Sequence, residues 1–162
     1  MRIKKLLVPI DFSKNAQVAF DYGLNLANQL DANLFLLHVQ EDSDLRIAVR
    51  EGLLSDKSSD EELKAQVCEL LESRFSMILA GMEDREIDVN HIVLRGDPKA
   101  IIPGYALEIG ADLIVIGMHG HKVVEKISSA VLGSVAESVI RKSPCPVLVV
   151  RLEHASKPNH AV

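Results

Sequence analysis

Two short segments of this 162-residue sequence have compositions that could bind an anionic ligand. The first contains Gly117, Gly120 and Lys122, and the second is Gly133-Ser134. Glycine lets the main chain approach a phosphate group closely, and the N–H groups at the start of a following helix favour an anion. An ordinary tight turn between a strand and a helix has the same composition. Both interpretations therefore stay open at the level of this motif.

A carboxylate marks a second position where a ligand could bind. Asp11 directly follows the apolar residues 6–10, and an ionised carboxylate can accept two hydrogen bonds from ribose hydroxyls. The same residue could instead cap the helix that follows. Ser13 is interpreted as the N-cap of that helix and not as a nucleophile, because no G-x-S-x-G sequence surrounds it.

The histidines lack the spacing of a metal site. His119 and His121 lie two residues apart in a loop, but metal ligation needs three or four converging ligands. Exposed loop histidines near a phosphate are the favoured interpretation. His38 and His91 fall on predicted strands, where we expect hydrogen-bonded structural histidines.

Apolar patterning predicts the elements that must position these residues. Strands are predicted at residues 6–10, 33–39, 87–94, 112–116 and 147–150, and helices at 15–31, 61–82, 98–110 and 130–142. Pro103-Gly104 should kink or interrupt the third helix. A short helix over 45–54, capped by Asp44, is expected within the irregular segment 41–60, which otherwise has the character of a lid or spacer.

Alternating strands and helices predict an α/β fold, a single doubly wound domain over residues 1–152. Its five-stranded parallel sheet, in the order 3-2-1-4-5, should carry helices on both faces. Ligands in such folds bind beyond the carboxyl ends of the strands, where the strand order reverses. The order 3-2-1-4-5 makes the first and fourth strands neighbours, so Asp11 and Gly117 are expected on either side of that point. Residues 153–162 are expected to be a disordered tail.

Composition excludes several functional classes. The net charge of −5 and the absence of a Lys/Arg cluster leave the sequence without the basic surface that binding to DNA or RNA requires. No apolar run approaches the length of a membrane span, so the protein is expected in the cytoplasm. Cys68 and Cys145 lack C-x-x-C spacing and should be reduced thiols. Neither a G-x-G-x-x-G dinucleotide motif nor a G-x-x-x-x-G-K-S/T phosphate loop is present, which makes an enzyme the less favoured interpretation.

The order of these segments resembles the universal stress protein family from about residue 3 to 151. The matching segments are residues 7–13, 36–39, 96–98, 112–117, Gly120, 133–137 and 146–150. Jointly they are far more specific than one glycine motif. The nucleotide-binding branch of that family carries Gly-x2-Gly-x9-Gly-Ser/Thr in the loop after the fourth strand.

The resemblance implies a nucleotide site on the matching residues. The adenine and ribose side would be lined by Pro9, Asp11, Val39 and the backbone of Gly117 and Met118. The phosphates would be held by Gly120, His121, Gly133, Ser134 and Val135. The ligand would be ATP or another adenine nucleotide, with or without bound Mg²⁺. The function would be that of a stress-response regulatory or binding module.

One departure from the family pattern keeps alternatives open. Twelve residues separate Gly120 from Gly133, where the family has nine. Gly133 could lie inside a helix that starts early, with its N–H used up, or a longer loop could still deliver Gly133-Ser134 to the phosphates. The second is favoured because both halves of the motif are intact. The alternative functions are a stress-related interaction protein that binds no nucleotide and a slow ATPase.

The last predicted strand would leave an open edge formed by Val147, Leu148, Val149 and Val150. An open apolar edge tends to aggregate unless it is covered. The resemblance implies that this strand pairs antiparallel with its twin, giving a two-fold symmetric homodimer.

Overall fold

The computed structural model describes residues 2–41, 60–80, 87–120 and 132–152. In chain order the strands are β1 (Lys5–Pro9), β2 (Asn33–Gln40), β3 (Val89–Arg95), β4 (Leu113–Gly117) and β5 (Val147–Val150). The helices within these ranges are α1 (Lys14–Leu30), α2 (Asp60–Leu79), α3 (Pro98–Ile109) and α4 (Ser134–Lys142).

The five strands form one parallel sheet in the order β3-β2-β1-β4-β5, which confirms the predicted topology. The chain builds outward from β1 to β3 and then returns to place β4 on the other side of β1. The strand order therefore reverses between β1 and β4. This is the position where ligands bind in open α/β sheets.

Alternating strand residues supply two separate cores. Leu6 and Val8 of β1 pack with α1 and with Phe75 of α2 on one face. Leu7, between them, packs on the other face with Ile102 of α3 and the residues of α4. Strands that are buried on both faces read as continuous apolar runs, which explains why β1 and β4 were recognisable from sequence.

The predicted Ser13 cap is confirmed, and Asp97 caps α3 in the same way. The Ser13 hydroxyl accepts a hydrogen bond from the Ala16 N–H at 3.2 Å, and α1 begins one residue after Ser13. Asp97 accepts from the Lys99 N–H at 2.9 Å, with Pro98 at the first helical position of α3.

The predicted interruption of α3 is wrong. The helix continues through Pro103-Gly104 and ends at Gly110 in a left-handed conformation. Pro103 lies in the second turn, where its missing N–H forfeits one main-chain hydrogen bond. Its side chain is buried, and this apolar burial offsets the loss.

The predicted start of α4 is also wrong. The helix begins at Ser134, and Leu132 and Gly133 precede it in non-helical conformation. The backbone of Gly133 is extended, with φ −64° and ψ 146°. Its N–H donates to Met118 at the end of β4 and does not continue a helix from further upstream.

Three predictions fall outside the described residues: the short helix over 45–54, the tail over 153–162, and the placement of His121. β3 begins at Val89, two residues later than the pattern predicted. Within the described ranges, no helix combines the length and apolar character that crossing a membrane requires.

Asp112 ties the amino ends of β1 and β4 together. Its Oδ2 accepts hydrogen bonds from the main-chain N–H of Lys4 at 2.8 Å and of Lys5 at 3.0 Å. These two bonds hold the pKa of the Asp112 carboxyl below its ordinary value of 3.8. A carboxylate with a lowered pKa stabilises the fold while it is ionised.

We predict that Asp112→Ala lowers the melting temperature near pH 7. Because the folded-state pKa is depressed, the stabilisation is present above the unfolded pKa and is lost as the pH falls through the folded value. The difference between variant and wild type should therefore shrink as thermal unfolding is followed from pH 7 down to about pH 3. Asp21→Ala, on the exposed side of α1, is the control and should cost little at either pH. A difference that does not change with pH would contradict this role.

Candidate functional site

The pairing of β1 with β4 ends at Leu7↔Ile114, and the crevice that this leaves at the switch point coincides with a proline at the end of the central strand. Ile10 N–H donates to Leu37 of β2 at 2.8 Å, and Lys5 C=O, on the opposite edge of β1, accepts from Asp112. Odd-numbered residues of β1 therefore direct their main-chain polar groups toward β4. Pro9 is odd-numbered and has no N–H to donate.

Because Pro9 has no N–H to donate, the β1–β4 pairing ends before it. Its register runs from Leu6↔Leu113 to Leu7↔Ile114 and stops before Pro9. On its other side, β1 continues to pair with β2 as far as Pro9↔Leu37. The central strand thus stays attached to β2 at a level where its ladder with β4 has ended. Pro9 therefore places the end of the β1–β4 pairing at the switch point.

Asp11 lies at the mouth of the crevice. Its Oδ1 accepts a hydrogen bond from the Ser13 N–H at 3.0 Å, so the residue does help to shape the start of α1. Its other oxygen faces the loop after β4. A Cβ atom at Gly120 would lie 2.5 Å from Asp11 Oδ2. The structure therefore brings together Asp11 and Gly120, two predicted site residues from different strands.

Gly117 lets the end of β4 touch the first turn of α1. A Cβ atom at this position would lie 2.8 Å from the main-chain oxygen of Asn15, closer than real Cβ contacts. The absence of a side chain is thus required by helix–strand packing. The amino end of α1, which carries a partial positive charge, comes close to the loop as a result.

The two glycine segments meet in spite of the longer spacer. Gly133 N–H donates to the Met118 carbonyl at 2.9 Å, and Met118 N–H donates to Val150 of β5 at 2.9 Å. A Cβ atom at Gly133 would lie 3.0 Å from the Met118 oxygen and 3.4 Å from His119 Cα. The spacing left two alternatives for Gly133. The structure excludes the one in which Gly133 lies inside a helix.

The hydrogen bond to Met118 occupies the Gly133 N–H, so this amide already has an acceptor within the protein. Gly133 is the N-cap of α4 and provides no side-chain cap. Ser134 and Val135 occupy the first two positions of the helix, whose N–H groups have no intrahelical acceptor. The amino end of α4 therefore lies beside the main chain of Met118 and His119.

Pro9 and Val39, the residues predicted for the adenine side, lie on the same face of the sheet. Pro9 is paired with Leu37, and Val39 lies two residues further along β2 on the same face. Both are buried, Val39 against the cluster that includes Ile102 of α3.

The histidines differ in their surroundings. Nδ1 of the buried His38 is 2.8 Å from the Ile10 carbonyl and donates to it, which confirms the expectation of a structural histidine. His119 is half-buried, contrary to the expected exposed histidine. Its Nδ1 is buried and has no hydrogen-bond partner among the described residues. In those same ranges no three His, Cys, Asp or Glu side chains converge as metal ligands.

Sequence comparison identifies the scaffold on which this site is built. The sequence profile of the universal stress protein family matches residues 2–151. The chain belongs to the universal stress protein family. It is 32% identical over 160 residues to the universal stress protein MJ0577 of Methanocaldococcus jannaschii, covering 94% of this chain and 97% of that protein.

Solved structures of this family share the fold. The structure of MJ0577 superimposes with a TM-score of 0.74 at 31% identity, covering 98% of this chain and 99% of that one. The universal stress protein UspA of Lactobacillus plantarum gives a TM-score of 0.64 at 28% identity, covering 93% and 99%. The predicted family and sheet architecture are therefore confirmed.

One residue of the site was not recognisable from sequence. Phe12, between Asp11 and Ser13, has a φ of +61°. A bulky residue in this left-handed region costs roughly 1–2 kcal/mol, so surrounding contacts must hold it there. Asn, Asp and Gly are the residues that suggest such a conformation in a sequence, and phenylalanine is not among them.

Two glycines provide a matched test of the close approach at β4. We predict that Gly117→Ala destabilises the fold by about 1–3 kcal/mol, because the new Cβ must displace the α1 backbone. Gly104→Ala is the control: nothing lies within 4 Å of a Cβ there. It should stabilise α3 by about 0.5–1 kcal/mol. Urea unfolding measures both free energies, and equal effects of the two variants would contradict the packing argument.

Proposed function

We propose that this universal stress protein binds an adenine nucleotide between β1 and β4 and acts as a stress-response regulatory or binding module. The observation that carries the proposal is the convergence of Asp11 with both glycine segments at the switch point. These residues come from three separate parts of the chain, and Gly120 and Gly133 are close enough to their neighbours that a side chain would intrude.

The residues present fit the parts of such a ligand. Pro9 and Val39 give an apolar wall for a base, and the Asp11 carboxylate is a hydrogen-bond acceptor for ribose hydroxyls. The α4 amides at Ser134 and Val135 suit a phosphate group. Nδ1 of His119 adds a polar atom that no described residue engages.

Two solved universal stress proteins of the same fold hold adenine nucleotides. A universal stress protein has been solved in complex with cAMP, and one from Arabidopsis thaliana with AMP. Their identities to this chain are 21% and 20%, with TM-scores of 0.57 and 0.58, so these likenesses speak for the fold. ATP, with or without Mg²⁺, is the specific ligand that we propose for this chain.

One observation favours a second candidate function. Gly133 N–H is engaged by Met118, so one of the amides expected at the phosphates is already bonded. A protein whose phosphate site is closed in this way would be an interaction protein without nucleotide. The same titration distinguishes the two candidates.

We predict that ATP binds to dialysed wild-type protein in calorimetric titration, after a denatured sample has been checked for carried nucleotide. Asp11→Ala should weaken binding about tenfold or more, since it removes a charged hydrogen-bond acceptor. Gly120→Ala keeps the carboxylate but displaces it, and Gly133→Leu would push Met118 away. Both variants should also bind more weakly.

Asp112→Ala is the matched control, because it removes a carboxylate from the opposite end of the same sheet. It should lower the melting temperature and leave the affinity for ATP unchanged. If the wild type neither binds ATP nor carries nucleotide, the proposal fails and the interaction protein remains. ATP turnover that is lost in Asp11→Ala would instead support a slow ATPase.

We further propose that β5 pairs with its twin in a homodimer. β5 is an edge strand of the sheet, and Val147, Leu148 and Val149 are each only partly buried within the chain. Apolar strand edges of this kind are normally covered. An antiparallel pair across a two-fold axis would cover this edge on both copies.

Size-exclusion chromatography tests the dimer. We predict that Val149→Lys elutes as a monomer, because two lysines would be buried across the axis. Val93→Lys makes the same change on β3, the opposite edge strand, at a residue that is 37% exposed, and should leave the dimer intact. A Val149→Lys variant that still elutes as a dimer would rule out this interface.

A further inference from the structure

The Asp11 loop depends on a residue in an unfavourable backbone conformation. Phe12 has a φ of +61° and stands between the two residues that shape the start of α1. Asp11 accepts from the Ser13 N–H, and Ser13 in turn accepts from the Ala16 N–H. Because both bonds depend on the direction of the chain at Phe12, its conformation sets where the Asp11 carboxylate points.

The Phe12 ring is held by side chains from two other elements. Its centroid is 4.8 Å from that of His38 on β2 and 5.3 Å from that of Phe75 on α2, the latter edge-to-face at 71°. The guanidinium carbon of Arg74, also on α2, lies 5.3 Å from the Phe12 centroid. Such aromatic and cation–π contacts are favourable and hold the half-buried Phe12 ring in place.

His38 holds the loop on both sides of Asp11. Its Nδ1–H donates to the carbonyl of Ile10, the residue before Asp11, at 2.8 Å. Its ring packs on Phe12, the residue after Asp11. The loop therefore has a fixed main-chain contact at one end and a fixed aromatic contact at the other.

α2 extends this contact to the edge of the sheet. Phe75 is 1% exposed, and its ring also packs against His91 of β3 at 4.8 Å. One side chain thus joins α2, β3 and the Asp11 loop. A displacement of α2 would remove the edge-to-face partner of Phe12 directly.

We propose that Phe12 is a positioning residue, held in its left-handed conformation by His38 and by Phe75 of α2, and that it directs Asp11 toward the ligand. The docking of α2 and ligand binding at Asp11 are consequently coupled, each strengthening the other. The ligand part of this inference rests on the proposed nucleotide site. The positioning part concerns the protein alone.

Three substitutions at one position separate the ring from the backbone conformation. Phe12→Gly tolerates the positive φ without strain but removes the ring, Phe12→Leu removes the ring and keeps a side chain, and Phe12→Tyr keeps the ring. We expect Phe12→Gly and Phe12→Leu to weaken ATP binding about tenfold, within the usual range of coupling. Phe12→Tyr should bind as the wild type does. Wild-type affinity in Phe12→Gly would overturn the role of the ring.

A matched pair tests the contribution of α2. Phe75→Leu and Phe20→Leu make the same change at two side chains that are each 1% exposed and belong to the same core cluster. Both should lower the melting temperature. Only Phe75→Leu should weaken ATP binding, because Phe20 lies on α1 and does not take part in the ring contacts of Phe12 described above. Equal affinities in the two variants would contradict coupling through α2.

Hydrogen exchange in ligand-free protein keeps the inference independent of nucleotide binding. We expect the Ser13 amide, which donates to Asp11, to lose protection in Phe12→Gly, Phe12→Leu and Phe75→Leu but not in Phe20→Leu. If the wild type does not bind ATP, the proposed function fails while this exchange pattern still decides the positioning role. Unchanged Ser13 protection in all four variants would overturn it.

Discussion

A single absent hydrogen-bond donor shapes the functional end of this sheet. In the central strand, successive residues direct their N–H groups to opposite neighbours, and Pro9 falls in the series that faces β4. The ladder between β1 and β4 therefore ends at Leu7↔Ile114, while the ladder to β2 continues. Proline is normally excluded from central strands because of this lost bond. Here the loss falls where the strand order reverses, the position at which open α/β sheets bind ligands.

The crevice is then completed by close main-chain contacts. Gly117 lets β4 touch the first turn of α1, and Gly133 lets the start of α4 rest on Met118. Both contacts place helix amino ends beside the same loop. Because helix amino ends carry partial positive charge, the anionic character expected of the ligand follows from packing as well as from side chains.

The Asp11 loop shows how a site residue can depend on distant elements. Asp11 is fixed by the chain direction at Phe12, and Phe12 is held by side chains of β2 and α2. Local strain of this kind persists only where surrounding contacts determine the conformation. The aromatic cluster around Phe12 therefore belongs to the proposed site in a physical sense, because its rings hold the loop that carries Asp11.

The sequence by itself determined the element types, because strands buried on both faces and capped helices have strong local signals. The order of the elements and of the matching segments determined the architecture and the family. Asp11, Gly117 and Gly120 were recognisable because they lie at or shortly after the ends of such strands. The start of α4 and the continuity of α3 were not, since both depend on contacts with the sheet: Gly133 bonds to Met118, and Pro103 is buried. Only the tertiary structure decided that Gly133 reaches the site across the longer spacer and that Phe12 adopts a positive φ. Neither outcome follows from neighbouring residues alone, because the groups that enforce them come from other elements of the fold.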